Sequence, residues 1–193
     1  HIRLVRNHPH FAHSYQIFYR DFHNKAFGPS YAPRLRARYI FAGVVVPTIL
    51  AGLFGYAILS SDPVALGFGV NIMFFFVGWH YVKQGYGMLI VESVLKRQYF
   101  NASEKRIFLA HAYAVWVFTW FATNTLIAEH NYWGLKYYTF DVPDPLLHIA
   151  LALTLTTAVA AIWVLARKWA ANRALPYNGV VAFDVTLYLW QIF

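Results

Sequence analysis

Residues 63–82 read Pro63-Val64-Ala65-Leu66-Gly67-Phe68-Gly69-Val70-Asn71-Ile72-Met73-Phe74-Phe75-Phe76-Val77-Gly78-Trp79-His80-Tyr81-Val82, a run without one charged side chain. A helix needs about 20 apolar residues to cross the hydrocarbon core of a bilayer, because no water is there to satisfy its backbone. This stretch meets that length, and three more do so near 39–59, 107–128 and 145–166. A fifth apolar run, 180–193, is short, and the expectation is that the chain continues past Phe193. The composition agrees: 59% of the 193 residues are hydrophobic, 20% aromatic and 12% charged, against roughly a quarter charged in an ordinary globular domain. The expected fold is therefore an all-α integral membrane protein, a multi-pass helical bundle of at least four transmembrane helices plus a partial fifth. It divides into an arm, 1–38, and a bundle, 39–193.

Charge sets the orientation, since Lys and Arg flanking short loops stay cytoplasmic. Arg3, Arg6, Arg20, Lys25, Arg34, Arg36 and Arg38 precede the first span. Lys83, Lys96, Arg97, Lys105 and Arg106 follow the second, and Arg167, Lys168 and Arg173 follow the fourth. The turn Ser60-Ser61-Asp62 has no cation, and the loop from Glu129 to Asp144 has Lys136 against three acids. A cytoplasmic N-terminus follows, in a bacterial inner membrane or its equivalent. The cations flank spans and do not interleave with exposed aromatics, so the pI of about 9.7 implies anionic lipid headgroups and no nucleic acid. There is no cysteine, which removes thiolate catalysis, disulfides and iron–sulfur ligation. The 38 residues before the first span do not have the layout of a cleavable signal peptide.

Within the arm, Phe11, Tyr15, Phe18, Tyr19 and Phe22 recur at helical spacing opposite Gln16, Arg20 and Asn24. That pattern predicts one amphipathic helix in the interface, aromatic face down, opened by Pro9 and closed by Gly28-Pro29-Ser30. Pro47 should bend the first span, with Gly43, Gly52 and Gly55 allowing close contact. Gly85 and Gly87 mark an expected bend after the second span. Asn101-Ala102-Ser103-Glu104 offers a cap to the third; with Ser103 as cap, the residue three further on is Arg106, and no capping box is expected. Tyr132, Trp133, Tyr137, Tyr138 and Phe140 suggest an aromatic belt at headgroup level. Asn71, Asn124, Thr154, Thr156 and Thr157 are expected to bond across helices or back along their own.

Chemistry rests on histidine. His80 and Gln84, four residues apart, share a helix face. His111 opens the third span at about the depth of His80, roughly 5 Å below the cytoplasmic interface at 1.5 Å per residue. The run His8-Pro9-His10-Phe11-Ala12-His13, with Asp21 near the azimuth of His10, lies on the same side, as do His23, Glu92 and Glu104. Six of the nine histidines gather there. The expected ligand set for iron, possibly di-iron, is His8, His10, His13, His80 and His111 with Asp21 or Glu92 as carboxylate, and Gln84, Tyr81 and Trp116 would meet the substrate. Glu129-His130-Asn131 and His148 form a smaller polar group on the other side. In layout this resembles membrane di-iron desaturases and hydroxylases, whose boxes read HxxxH and HxxHH where this chain reads HxHxxH. The resemblance covers arrangement and no motif.

Three readings follow. One is a metal-dependent membrane oxidoreductase of oxygenase, desaturase or hydroxylase type acting on a lipid-soluble substrate. A second is a subunit of a larger bioenergetic complex, either accessory or binding haem or a chlorophyll-type pigment through a single His80 or His111. The third is a ligand-free scaffold. There is no Walker A loop or dinucleotide fingerprint, no Gly-x-Ser-x-Gly elbow, no voltage-sensor ladder and no pair of broken helices as in transporters.

Overall fold

A computed structural model describes residues 15–126, 130–132 and 135–189. These fold almost entirely as helices: α1 (Phe22–Phe27), α2 (Pro33–Leu59), α3 (Pro63–Leu95), α4 (Ala102–Leu126), α5 (Asp144–Asn172) and α6 (Tyr177–Leu189). One antiparallel ribbon interrupts them, β1 (His130–Tyr132) paired with β2 (Leu135–Tyr137), with Asn131 opposite Lys136. Three helices, α2, α3 and α5, are long and apolar enough to cross a membrane. Helix α4 has the length, but His111, two tryptophans and Asn124 dilute its apolarity, and it is not one of the three. The third and partial fifth crossings expected from the sequence thus correspond to helices, not to spans of that apolarity. The chain forms two compact units that divide between Asp62 and Pro63.

In the first unit the predicted single arm helix is broken. Residues 15–19 are helical, Asp21 adopts a left-handed φ of 58°, and α1 begins at Phe22. Lys25 Nζ reaches back to the carbonyls of Ile17 and Phe18, both at 3.2 Å, neutralising the end of that turn. The aromatic face is not turned wholly outward, as expected, because Phe18 and Phe22 sit on Gly43 of α2 and Phe18 packs against Tyr39. A Cβ at Gly43 would lie 2.7 Å from Phe22 Cζ and 2.9 Å from Phe18 Cε1. Glycine is therefore required there for close approach.

Pro47 acts as expected, with a specific consequence. It has no N–H for the carbonyl four residues earlier, that of Gly43, and the helix widens into a π-turn at Phe41–Val45. Tyr19 Oη donates to that Gly43 carbonyl at 2.8 Å. A buried carbonyl freed by proline is thereby satisfied from the arm. Gly52 and Gly55, expected to allow close packing, have nothing within 4 Å of a Cβ position.

In the second unit α3 runs for 33 residues without a break in the helix at Gly85 and Gly87, where a bend was expected. Gly85 serves packing instead: α6 lies antiparallel along the last part of α3, and a Cβ at Gly85 would overlap Thr186 Oγ1. At the other end of α6, the Glu92 carboxylate accepts the backbone N–H of Gly179. A negative charge there suits the N-terminal end of α6. The core holds Val82 and Leu89 of α3, Phe108, Ala112 and Val115 of α4, Ala161 and Val164 of α5, and Phe183 and Leu187 of α6.

Helix α4 is set by a capping box that the Ser103 reading missed. Asn101 Oδ1 accepts from Glu104 N at 2.9 Å and Glu104 Oε2 accepts from Asn101 N at 2.8 Å, so the cap is Asn101 and its partner Glu104. Lys168 of α5 pairs with the same carboxylate at 3.1 Å, donates to Tyr99 O at 2.7 Å and lies over the Phe100 ring. One acid thus ends a loop, starts a helix and ties α4 to α5.

Candidate functional site

Two polar regions lie inside the second unit, one at each end of α4. Toward the ribbon, Asn71 of α3 and Asn124 of α4 are buried, Asn71 with no exposure at all. Asn71 Nδ2 donates to Asn124 Oδ1 at 2.6 Å and to Tyr138 O at 2.9 Å, while Asn71 Oδ1 accepts Trp120 Nε1 at 2.8 Å. Asn124 Nδ2 donates to Trp120 O, and its oxygen also accepts Phe140 N, both at 2.8 Å. Every polar atom of both amides is used, and the groups they bind include the loop that returns to α5. A network in which each of these atoms has a partner rigidifies this end of the unit. The bonding across helices expected of these asparagines is present.

Stacked against this network is a column of rings. Phe68 faces Tyr138 and Phe140, Trp120 faces Phe140 and Phe75, and Phe75 meets Trp116 at 4.3 Å. Trp116 is 6.0 Å from Tyr113. Lys83 Nζ then lies 5.7 Å from the centre of the Tyr113 ring and 5.6 Å from that of Tyr86. Trp116 Nε1 donates to Phe75 O at 2.7 Å.

The histidines occupy the other half. Trp116 bonds Phe75 and Trp120 bonds Asn71, and five residues further along both antiparallel helices this register sets position 111 level with position 80. The His111 ring nevertheless engages other helices: Nδ1 is 3.2 Å from Thr157 Oγ1 of α5, and the ring meets Phe183 of α6 edge-on at 6.3 Å. Thr157 Oγ1 lies 2.7 Å from Leu153 O. Thr157 Oγ1 also lies 3.1 Å from Thr154 O, and the direction of its bond with His111 follows the imidazole tautomer. His80 is half-buried with its ring 6.2 Å from that of Tyr81.

Asp21 accepts from Asn24 Nδ2 at 2.7 Å, and Glu92 holds Gly179 N. His8, His10 and His13 lie outside the described residues. Among the described residues no three His, Asp or Glu side chains gather closely enough to hold a metal ion. Of the substrate residues, Gln84 is exposed, Tyr81 half-buried and Trp116 part of the ring column. His23 stacks one turn from Phe27, and His148 bonds Asp144 O at 2.8 Å. Glu129 and Trp133 lie outside the described residues. The Lys83–Tyr86–Tyr113 group was missed by sequence reasoning, although Lys83 at the close of the apolar run and Tyr86 one turn on were visible signals. Comparison with protein-family models, curated proteins and solved structures gave no match.

Proposed function

We propose that this chain is an accessory subunit of a larger membrane assembly, its basic end toward the cytoplasm, acting by packing and positioning and not by catalysis at a metal. One observation carries the reading: five polar side chains of the second unit, three of them buried, place their bonds on joining segments of the chain. Asn71, Asn124, Glu92, Glu104 and His111 each join two segments of the chain. A catalytic centre needs side chains held in place with bonding capacity left for substrate, and the bonds shown by these side chains run within the fold. Outward, the helices are apolar: 22% of the most apolar stretch of α3 and 17% of that of α5 is buried. Trp163 and Trp169 of α5 are among the rings left exposed, large anchors of the kind that fill pockets on a neighbouring subunit. In this reading the cations of Lys96, Arg97, Lys105, Arg106, Arg167 and Arg173 hold the cytoplasmic end in place.

The test is mild-detergent extraction from the native membrane, followed by native mass determination, an absorption spectrum and elemental analysis. The expected result is a stoichiometric complex containing this chain, with no loss of assembly on replacing His80 or His111 by Gln beyond what reduced stability explains. A monodisperse single chain with stoichiometric iron that is lost in His111→Gln overturns the proposal in favour of the oxidoreductase.

A further inference from the structure

The surplus charge on Lys83 has a structural setting of its own. Helix α3 carries Ile72, Phe76, Trp79, Lys83 and Tyr86 at three- and four-residue spacing, one continuous face. Phe76 is 56% exposed and Trp79 41%, so this part of the face is turned away from the core, while Lys83 and Tyr86 are half-buried and Tyr86 touches the core's edge. Lys83 sits where the face meets α4, its ammonium held between the rings of Tyr86 and Tyr113. Among the described residues no carboxylate pairs with it. Two aromatic faces attract a cation but do not neutralise it.

Depth sharpens the point. Lys83 stands twenty residues along α3 from Pro63, about 30 Å, which is the thickness of a hydrocarbon core. Measured instead on α5, where Thr157 is level with His111 and the cations begin at Arg167, Lys83 is about two turns inside the boundary. On either measure an uncompensated ammonium faces lipid at or beneath the headgroups of the basic side, where an anionic partner is worth most.

We infer that Lys83, Tyr86 and Tyr113 form the headgroup site for one anionic phospholipid, whose acyl chain lies along Trp79 and Phe76. The ammonium and two phenol hydroxyls supply donors to phosphate oxygens, and the exposed rings supply the apolar bed. Charge complementarity selects the occupant: a zwitterionic lipid brings its own cation and gains less. The inference takes from the proposed function only the membrane setting, and whether this chain belongs to a larger assembly does not bear on it.

The experiment uses the full chain in mild detergent, titrated with dioleoylphosphatidylglycerol, dioleoylphosphatidylcholine or inorganic phosphate and read by native mass spectrometry. One phosphatidylglycerol is expected to bind ahead of phosphatidylcholine. Lys83→Met should weaken it roughly tenfold, the scale of a charge-assisted bond, with Lys83→Arg restoring most of the affinity and Tyr113→Phe losing a smaller part. Lys83→Met within twofold of the parent, equal binding of phosphatidylcholine, or displacement by inorganic phosphate at matched concentration overturns the inference. Should Lys83→Met fail to fold, the order parent, Lys83→Arg, Tyr113→Phe decides it, and equal affinities across those three refute it.

Discussion

Replacing Asn71 by Leu keeps the side chain's size and removes its polarity, and the network fixes what that should cost. Trp120 Nε1 loses its acceptor at 2.8 Å and Tyr138 O its donor at 2.9 Å. Asn124 Oδ1 retains Phe140 N, so it is weakened but not orphaned. Three bonds are lost, each worth about 0.6 kcal/mol on average and up to ~1.7 between membrane helices, and the half-buried indole N–H is left without its acceptor. A loss of about 2–4 kcal/mol is expected, read by reversible unfolding in mixed micelles. The second single change, Asn124→Leu, and the double change close a thermodynamic cycle. Each single change counts the 2.6 Å bond between the amides, so the double variant should fall short of their sum by about 1 kcal/mol. A loss under about 0.5 kcal/mol for Asn71→Leu, or strict additivity, would show that the bonds are worth little more than those of the unfolded chain in the micelle, and the reading of this region as a lock would be wrong.

Gly85→Ala should destabilise the pairing of α3 with α6 by about 1–3 kcal/mol, as overpacking does, because its Cβ overlaps Thr186 Oγ1; Thr186→Ala in the same chain should recover part of the loss, and thermal melts compare the three. Asn101→Ala removes the side-chain acceptor of Glu104 N while the backbone N–H of residue 101 still meets Glu104 Oε2; it should cost about 1 kcal/mol, with amide exchange rising first in the opening turn of α4. Arg97 closes α3 with a left-handed φ of 56° and the bond Gln98 N to Ser93 O at 2.7 Å; Arg97→Gly should therefore raise stability by about 1 kcal/mol, and an unchanged or lower melting point would count against that account of the turn.

The ends of helices show how far local chemistry reads and where it stops. The π-turn before Pro47 follows from a missing N–H, a property of one residue. The box at Asn101 and Glu104 obeys an equally local rule, yet choosing Ser103 as cap hid it, since both residues qualify. The unbroken α3 is a different case. Glycines at 85 and 87 lower helix propensity, but Phe183 and Leu187 pack over Val82 and Leu89, and tertiary burial outweighs about 1 kcal/mol per glycine.

Composition and the lengths of its apolar runs were enough to assign this chain to a membrane, because satisfying a backbone in hydrocarbon is a requirement on segments taken one at a time. The same one-dimensional rules placed His80 and His111 level with each other. Which way a ring turns depends on all its neighbours together, and only packing decided that His111 would meet Thr157 and Phe183, that Glu92 would hold the start of α6, and that Lys83 would stand between two tyrosines. Azimuth around a helix is set by contacts far apart in sequence, and that is information no spacing of residues contains.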